Sequence, residues 1–64
     1  MSFKEARIAA GLTVQQVMKA LGVSDATVYF WETGVNTPKT SRLVEIAKLY
    51  GTTVDELLRG NTQA

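Results

Sequence analysis

Residues 13–34 read TVQQVMKALGVSDATVYFWETG, and the reading of this stretch decides the fold. Thr13 and Gln16 have the spacing of a capping box, in which each side chain satisfies a backbone N–H at a helix start. Val17 and Leu21 follow at helical spacing, and Gly22 stops the helix because glycine takes the left-handed backbone that a tight exit needs. Ser24 caps the next helix, which places Val28 and Trp31 inward and ends at Gly34. Two helices joined by about three residues that include a glycine cross at a steep angle.

Outward from this pair the same signals repeat. Upstream, Ser2 and Glu5 form a capping box, Phe3, Ala6 and Ala10 fall on one helical face, and Gly11 ends the helix. Downstream, Val35 to Pro38 reads as a loop, with Pro38 suited to the first turn of a fourth helix. That helix carries Leu43, Ile46, Ala47 and Tyr50 on one face and ends at Gly51. Thr53 and Glu56 form a third capping box, and Val54, Leu57 and Leu58 give a last short helix before Gly60. No strand signal, internal repeat, low-complexity run or linker interrupts the pattern. The expectation is all-α: a compact five-helix bundle forming one domain over residues 1–60, with a short flexible tail over 61–64.

Composition narrows the function. The 64 residues contain no cysteine and no histidine, which excludes disulfides, thiolate chemistry and imidazole bases. So small a domain leaves little core to wall off a cavity, and no nucleophile–base pair, metal set or phosphate-binding glycine loop is seen. The expectation is therefore no enzyme, no cofactor and no metal. Seven basic and six acidic residues give a net charge of +1, so charge placement must matter more than total charge if the partner is nucleic acid. No stretch approaches the roughly 20 apolar residues of a membrane span. No apolar run follows a basic start over Met1 to Lys4, and the expected location is the cytoplasm.

Several fragments now line up in order: Gly11-Leu12-Thr13, Leu21-Gly22-Val23-Ser24, Thr27-Val28, Trp31-Glu32 and Gly34. Pro38, the run from Leu43 through Ala47 to Gly51, and Asp55-Glu56-Leu57-Leu58 continue the series. As a set they resemble the Cro and phage-repressor helix-turn-helix family, with a lambda repressor-like fold, from about Phe3 to Leu58. The resemblance implies a sequence-specific transcriptional regulator, a repressor of prokaryotic or phage type, that reads the major groove of double-stranded DNA with its third helix.

By that resemblance the recognition helix is Ser24 to Thr33. Asp25, Ala26 and Phe30 face base edges with Tyr29 beside them, Thr13 and Thr27 meet phosphates, and Lys39 lies near the backbone with Arg42 on the next turn. Arg7 and Glu32 match a pair that ties the first helix to the end of the third. Gly22 and Trp31 are structural. Val14 stands where the family commonly has glutamine, Met18 where it has alanine at the helix crossing, and Phe30 where a hydrogen-bonding reader is common.

Plainer readings stand beside these. Val28 and Trp31 are core, and Met18 fills the crossing. Asp55 and Glu56 favour the positive end of a helix dipole rather than acid–base work, and Asp25 is either such an acid or a reader of a cytosine amino group. Lys4, Lys19 and Lys48 read as solvated surface. Tyr29 and Phe30, lying between inward residues, must point largely outward, and adjacent exposed aromatics mark a binding surface. Two partners follow: DNA, bound as a homodimer with contact near Tyr50 and Leu58 to Arg59, or a protein held by Tyr29 and Phe30, as in the antitoxin half of a toxin–antitoxin pair.

Overall fold

The computed structural model describes residues 2–61, so Thr62 to Ala64 of the expected tail lie outside the described residues. Five helices follow one another: α1 Phe3–Ala9, α2 Val14–Leu21, α3 Asp25–Thr33, α4 Thr40–Tyr50 and α5 Val54–Asn61. No strand occurs among the described residues. The fold is all-α, as the periodicity requires.

The helix starts are fixed by side chains. Ser2 and Glu5 exchange two bonds of 3.1 Å at the start of α1. Thr13 and Gln16 do the same at α2, at 2.9 and 3.1 Å. Ser24 Oγ accepts from the Thr27 N–H at 3.3 Å, and Thr53 Oγ1 from the Glu56 N–H at 3.1 Å. Each bond satisfies a donor that the helix cannot use itself.

Three boundaries differ from the sequence reading. Pro38 is not in the first turn of α4: Lys39 is the N-cap, extended at φ −63° and ψ 157°, and the helix begins at Thr40. The Pro38 ring is buried ahead of that cap, where its apolar surface leaves water. Ala10 lies beyond the last turn of α1 as its C-cap and is exposed, so it does not share the face of Phe3 and Ala6. Helix α5 continues through Gly60 to Asn61, since glycine accepts helical backbone as readily as a left-handed exit.

The core is one cluster: Phe3, Ala6, Val17, Val28, Trp31, Leu43, Ile46, Ala47, Tyr50 and Leu57. Leu21, Met18, Val54 and Leu58 pack half-buried around it. Tyr50 is thus an internal residue and cannot form the expected contact with a second copy. Helix α3 packs against α2 and α1, whereas α5 packs against α1 and α4. The outward side of α3 is therefore left open, with α5 away from it.

Candidate nucleic-acid interface

The α2–α3 connection is built on one carbonyl. Gly22 adopts φ 68° and ψ 37°, and its N–H donates to the Met18 carbonyl at 2.8 Å. The Val23 N–H reaches the same carbonyl at 3.1 Å. Glycine occupies this left-handed position without the steric penalty of a Cβ. The chain turns at once into Ser24, which starts α3, so α3 has a fixed exit direction from α2.

The angular positions on α3 sort the predicted residues. At about 100° per residue, Ala26 and Phe30 lie opposite the fully buried Val28. Asp25 and Tyr29 flank them on one side and Thr27 on the other. Tyr29 is 50% exposed and Phe30 42%. Two adjacent aromatics therefore stand in solvent on the free side of the helix, with the small Ala26 one turn before Phe30.

Shallow grooves border this ridge. One is lined by Thr13, Val14, Gln15, Met18, Asp25 and Tyr29, which brings the start of α2 beside the start of α3. Another gathers Thr27, Trp31, Lys39, Ser41, Arg42 and Glu45, among others, beside the start of α4. The predicted residues thus fall on one continuous side of the molecule: Thr13, Asp25 and Tyr29 at one edge, Ala26 and Phe30 on the ridge, Thr27 and Lys39 at the other edge.

Their side chains differ in availability. Asp25 Oδ1 accepts from the Ala26 N–H at 2.8 Å, so one carboxylate oxygen serves its own helix start. The Thr27 hydroxyl is 3.0 Å from that of Ser24. Lys39 makes no side-chain bond to the helix it caps, which leaves the first N–H groups of α4 without a side-chain cap. Arg42 is turned inward: its Nη1 donates to the Leu21 carbonyl at 3.0 Å and to Glu45 Oε1 at 3.2 Å.

Behind the ridge, Arg7 and Glu32 form a two-point pair. Arg7 Nε donates to Glu32 Oε2 at 2.7 Å and Nη2 to Oε1 at 3.4 Å, while Nη1 reaches the Leu12 carbonyl at 3.0 Å. The Glu32 bond raises the Arg7 pKa above its ordinary value, against the opposing effect of burial. Tyr50 lies within electrostatic reach of the pair, and its hydroxyl has no hydrogen-bond partner among the described residues. Burial, reinforced by the Glu32 charge and opposed by Arg7, pushes the Tyr50 pKa up to about 12.

Gln15 was not singled out by sequence, yet it lines the groove with Asp25 and Tyr29. Its signal was available: it directly follows Val14, which occupies a position where the family commonly carries glutamine. The inward hold on Arg42 had no such signal beyond the spacing of Arg42 and Glu45, because its main acceptor lies 21 residues away.

A sharply turned helix pair with its second helix exposed, its first anchored and its flanks polar defines a helix-turn-helix DNA-binding domain. The helix-turn-helix family model, of the Cro and phage-repressor type, matches residues 3–57, and the chain belongs to that family. It is a DNA-binding protein of the transcription-regulator kind. Comparison with curated proteins and with solved structures gives no match. Among the described residues no helix is long and apolar enough to cross a membrane.

Proposed function

We propose that this protein is a repressor that reads double-stranded DNA in the major groove with α3. The observation that carries the reading is the exposed ridge of Ala26 and Phe30, lying opposite buried Val28, flanked by exposed Tyr29 and bordered by Thr13 and Lys39. Thr13, Thr27 and Lys39 position the domain on phosphates; Asp25, Ala26 and Phe30, with Tyr29 beside them, face base edges. The Arg7–Glu32 pair, Gly22 and Trp31 set the angle at which α3 is presented. The protein acts where the DNA is, in the cytoplasm, without cofactor or metal and without enzymatic chemistry.

A domain of this size covers a short half-site, and helix-turn-helix dimers place two half-sites about 34 Å apart. The reading therefore includes a homodimer assembled on DNA. With Tyr50 internal, the contact falls on the outer side of α5 around Leu58 and Arg59, since α5 packs only on α1 and α4 and leaves α3 free.

The test is selection of bound duplexes from a random DNA pool, followed by titration of the best duplex against salt. Major-groove reading with phosphate anchoring gives an enriched motif and a steep salt slope. Binding to a protein partner through Tyr29 and Phe30 gives no motif and a nearly flat salt response, and that result would replace the DNA reading.

A further inference from the structure

We infer that Arg42 is a positioning residue: it caps the last carbonyl of α2 and thereby fixes the turn that presents α3. The inference rests on the DNA reading above for its functional consequence, and on geometry alone for the cap itself.

A helix ends with carbonyls that its own backbone cannot satisfy. At the end of α2, the Gly22 and Val23 N–H groups both go to the Met18 carbonyl, and the backbone bonds of the turn include none from Ser24 or Asp25, three and four residues on, to the Leu21 carbonyl. The Leu21 carbonyl instead accepts from Arg42 Nη1 at 3.0 Å. A cation there also meets the negative end of the helix dipole. Arg42 belongs to α4, which is rooted in the core by Leu43 and Ile46 on either side of Glu45. Glu45, three residues on, holds the same Nη1 at 3.2 Å and so fixes the guanidinium in place. The turn is thus tied to a helix that takes no part in it.

The same geometry argues against a direct phosphate contact by Arg42. Nη1 already has two acceptors, and a phosphate approaching the guanidinium would meet the Glu45 carboxylate beside it. Lys39, exposed at the adjacent helix start and in no ion pair among the described residues, is the better phosphate ligand of the two.

The experiment is Arg42→Met, which keeps much of the aliphatic stem and removes the charge. Affinity is measured over a salt series on the best duplex from a random pool and on a scrambled duplex of equal length. The expected result is a loss of about tenfold in preference for the selected duplex, the worth of one charge-assisted hydrogen bond, with the salt slope unchanged. A slope reduced by about one identifies a phosphate contact and overturns the inference. Unchanged slope and preference with a lower melting temperature reduce Arg42 to a stability role and overturn it too. Amide exchange at Gly22 and Val23 is measured in parallel on the free protein. Should the wild type bind DNA without salt dependence, the DNA reading fails separately, and exchange decides the cap: faster exchange confined to the turn supports it, wild-type rates overturn it. If Arg42→Met does not fold, Arg42→Lys, with one cation and a different reach, is measured in its place against the same outcomes.

Discussion

Arg7 and Glu32, 25 residues apart, join α1 to the end of α3 through two side-chain bonds, the shorter 2.7 Å. The side chains are 11% and 6% exposed, so the pair is nearly dry. Removing one partner leaves the other charge part-buried and without its counter-ion. Arg7→Ala is expected to destabilise the fold by about 3 kcal/mol. In a domain of this size that lowers the melting temperature by about 10 °C or more. Replacing both residues by alanine should cost less than the sum of the single changes, because no charge is then stranded. Thermal melts of the three variants check both statements, and an unchanged melt for Arg7→Ala would remove the pair from the architecture.

Tyr50 gives a prediction about pH. Its pKa of about 12 in the fold lies above the usual phenol value near 10, because burial and Glu32 oppose ionisation. The neutral phenol is thus favoured by the fold. That contribution is fully present below about pH 10 and is lost as pH rises toward 12. Denaturant melts across this window should show falling stability in the wild type and a smaller fall in Tyr50→Phe. At neutral pH the hydroxyl has no bond to lose, so Tyr50→Phe should be neutral or stabilise by about 1 kcal/mol. A loss above that size at pH 7 would mean that the hydroxyl has a partner after all.

Gly22 separates backbone strain from crowding. A Cβ built on it meets nothing within 4 Å, so a larger side chain has room. Only its φ of +68° resists substitution. Gly22→Ala should therefore cost about 1–2 kcal/mol, the left-handed penalty for an L-residue, and Gly22→Asn less. Equal costs for the two, measured by urea unfolding, would show that something other than the backbone conformation matters there.

What could be read from sequence follows from how far each interaction reaches along the chain. The capping boxes Ser2–Glu5 and Thr13–Gln16 are three-residue signals, and the described helices start where they say. Inward positions such as Val17, Val28 and Ile46 repeat at helical spacing and are all fully buried. Pro38 was harder: proline is compatible both with a first turn and with the residue before a cap, and burial of its ring chose the second. The placement of Arg42 on Leu21 was out of reach, because a surface arginine's choice between a carbonyl and solvent depends on where α4 is docked. Arg7 and Glu32 were found only through the family pattern, since nothing local links positions so far apart.

Phe30 and Lys39 are expected to give opposite signatures on DNA. Phe30 stands 42% exposed, one turn beyond Ala26, and neither side chain can hydrogen-bond a base. What the ridge offers is apolar contact, and the apolar feature of the major groove is the methyl group of thymine. A thymine preference is expected opposite Phe30, with cytosine favoured near Asp25, whose second carboxylate oxygen can accept from its amino group. Phe30→Ala should relax the preference at one base pair by about 1–3 kcal/mol and leave the salt slope alone. Lys39 is exposed at the uncapped start of α4, where a phosphate would meet both its ammonium and free N–H groups. Lys39→Ala should weaken binding to every sequence and lower the slope by about one. Both variants are titrated over a panel of single-base changes in the selected duplex. If Phe30→Ala leaves every preference intact, the aromatic ridge does not read bases, and a protein partner becomes the better account of Tyr29 and Phe30.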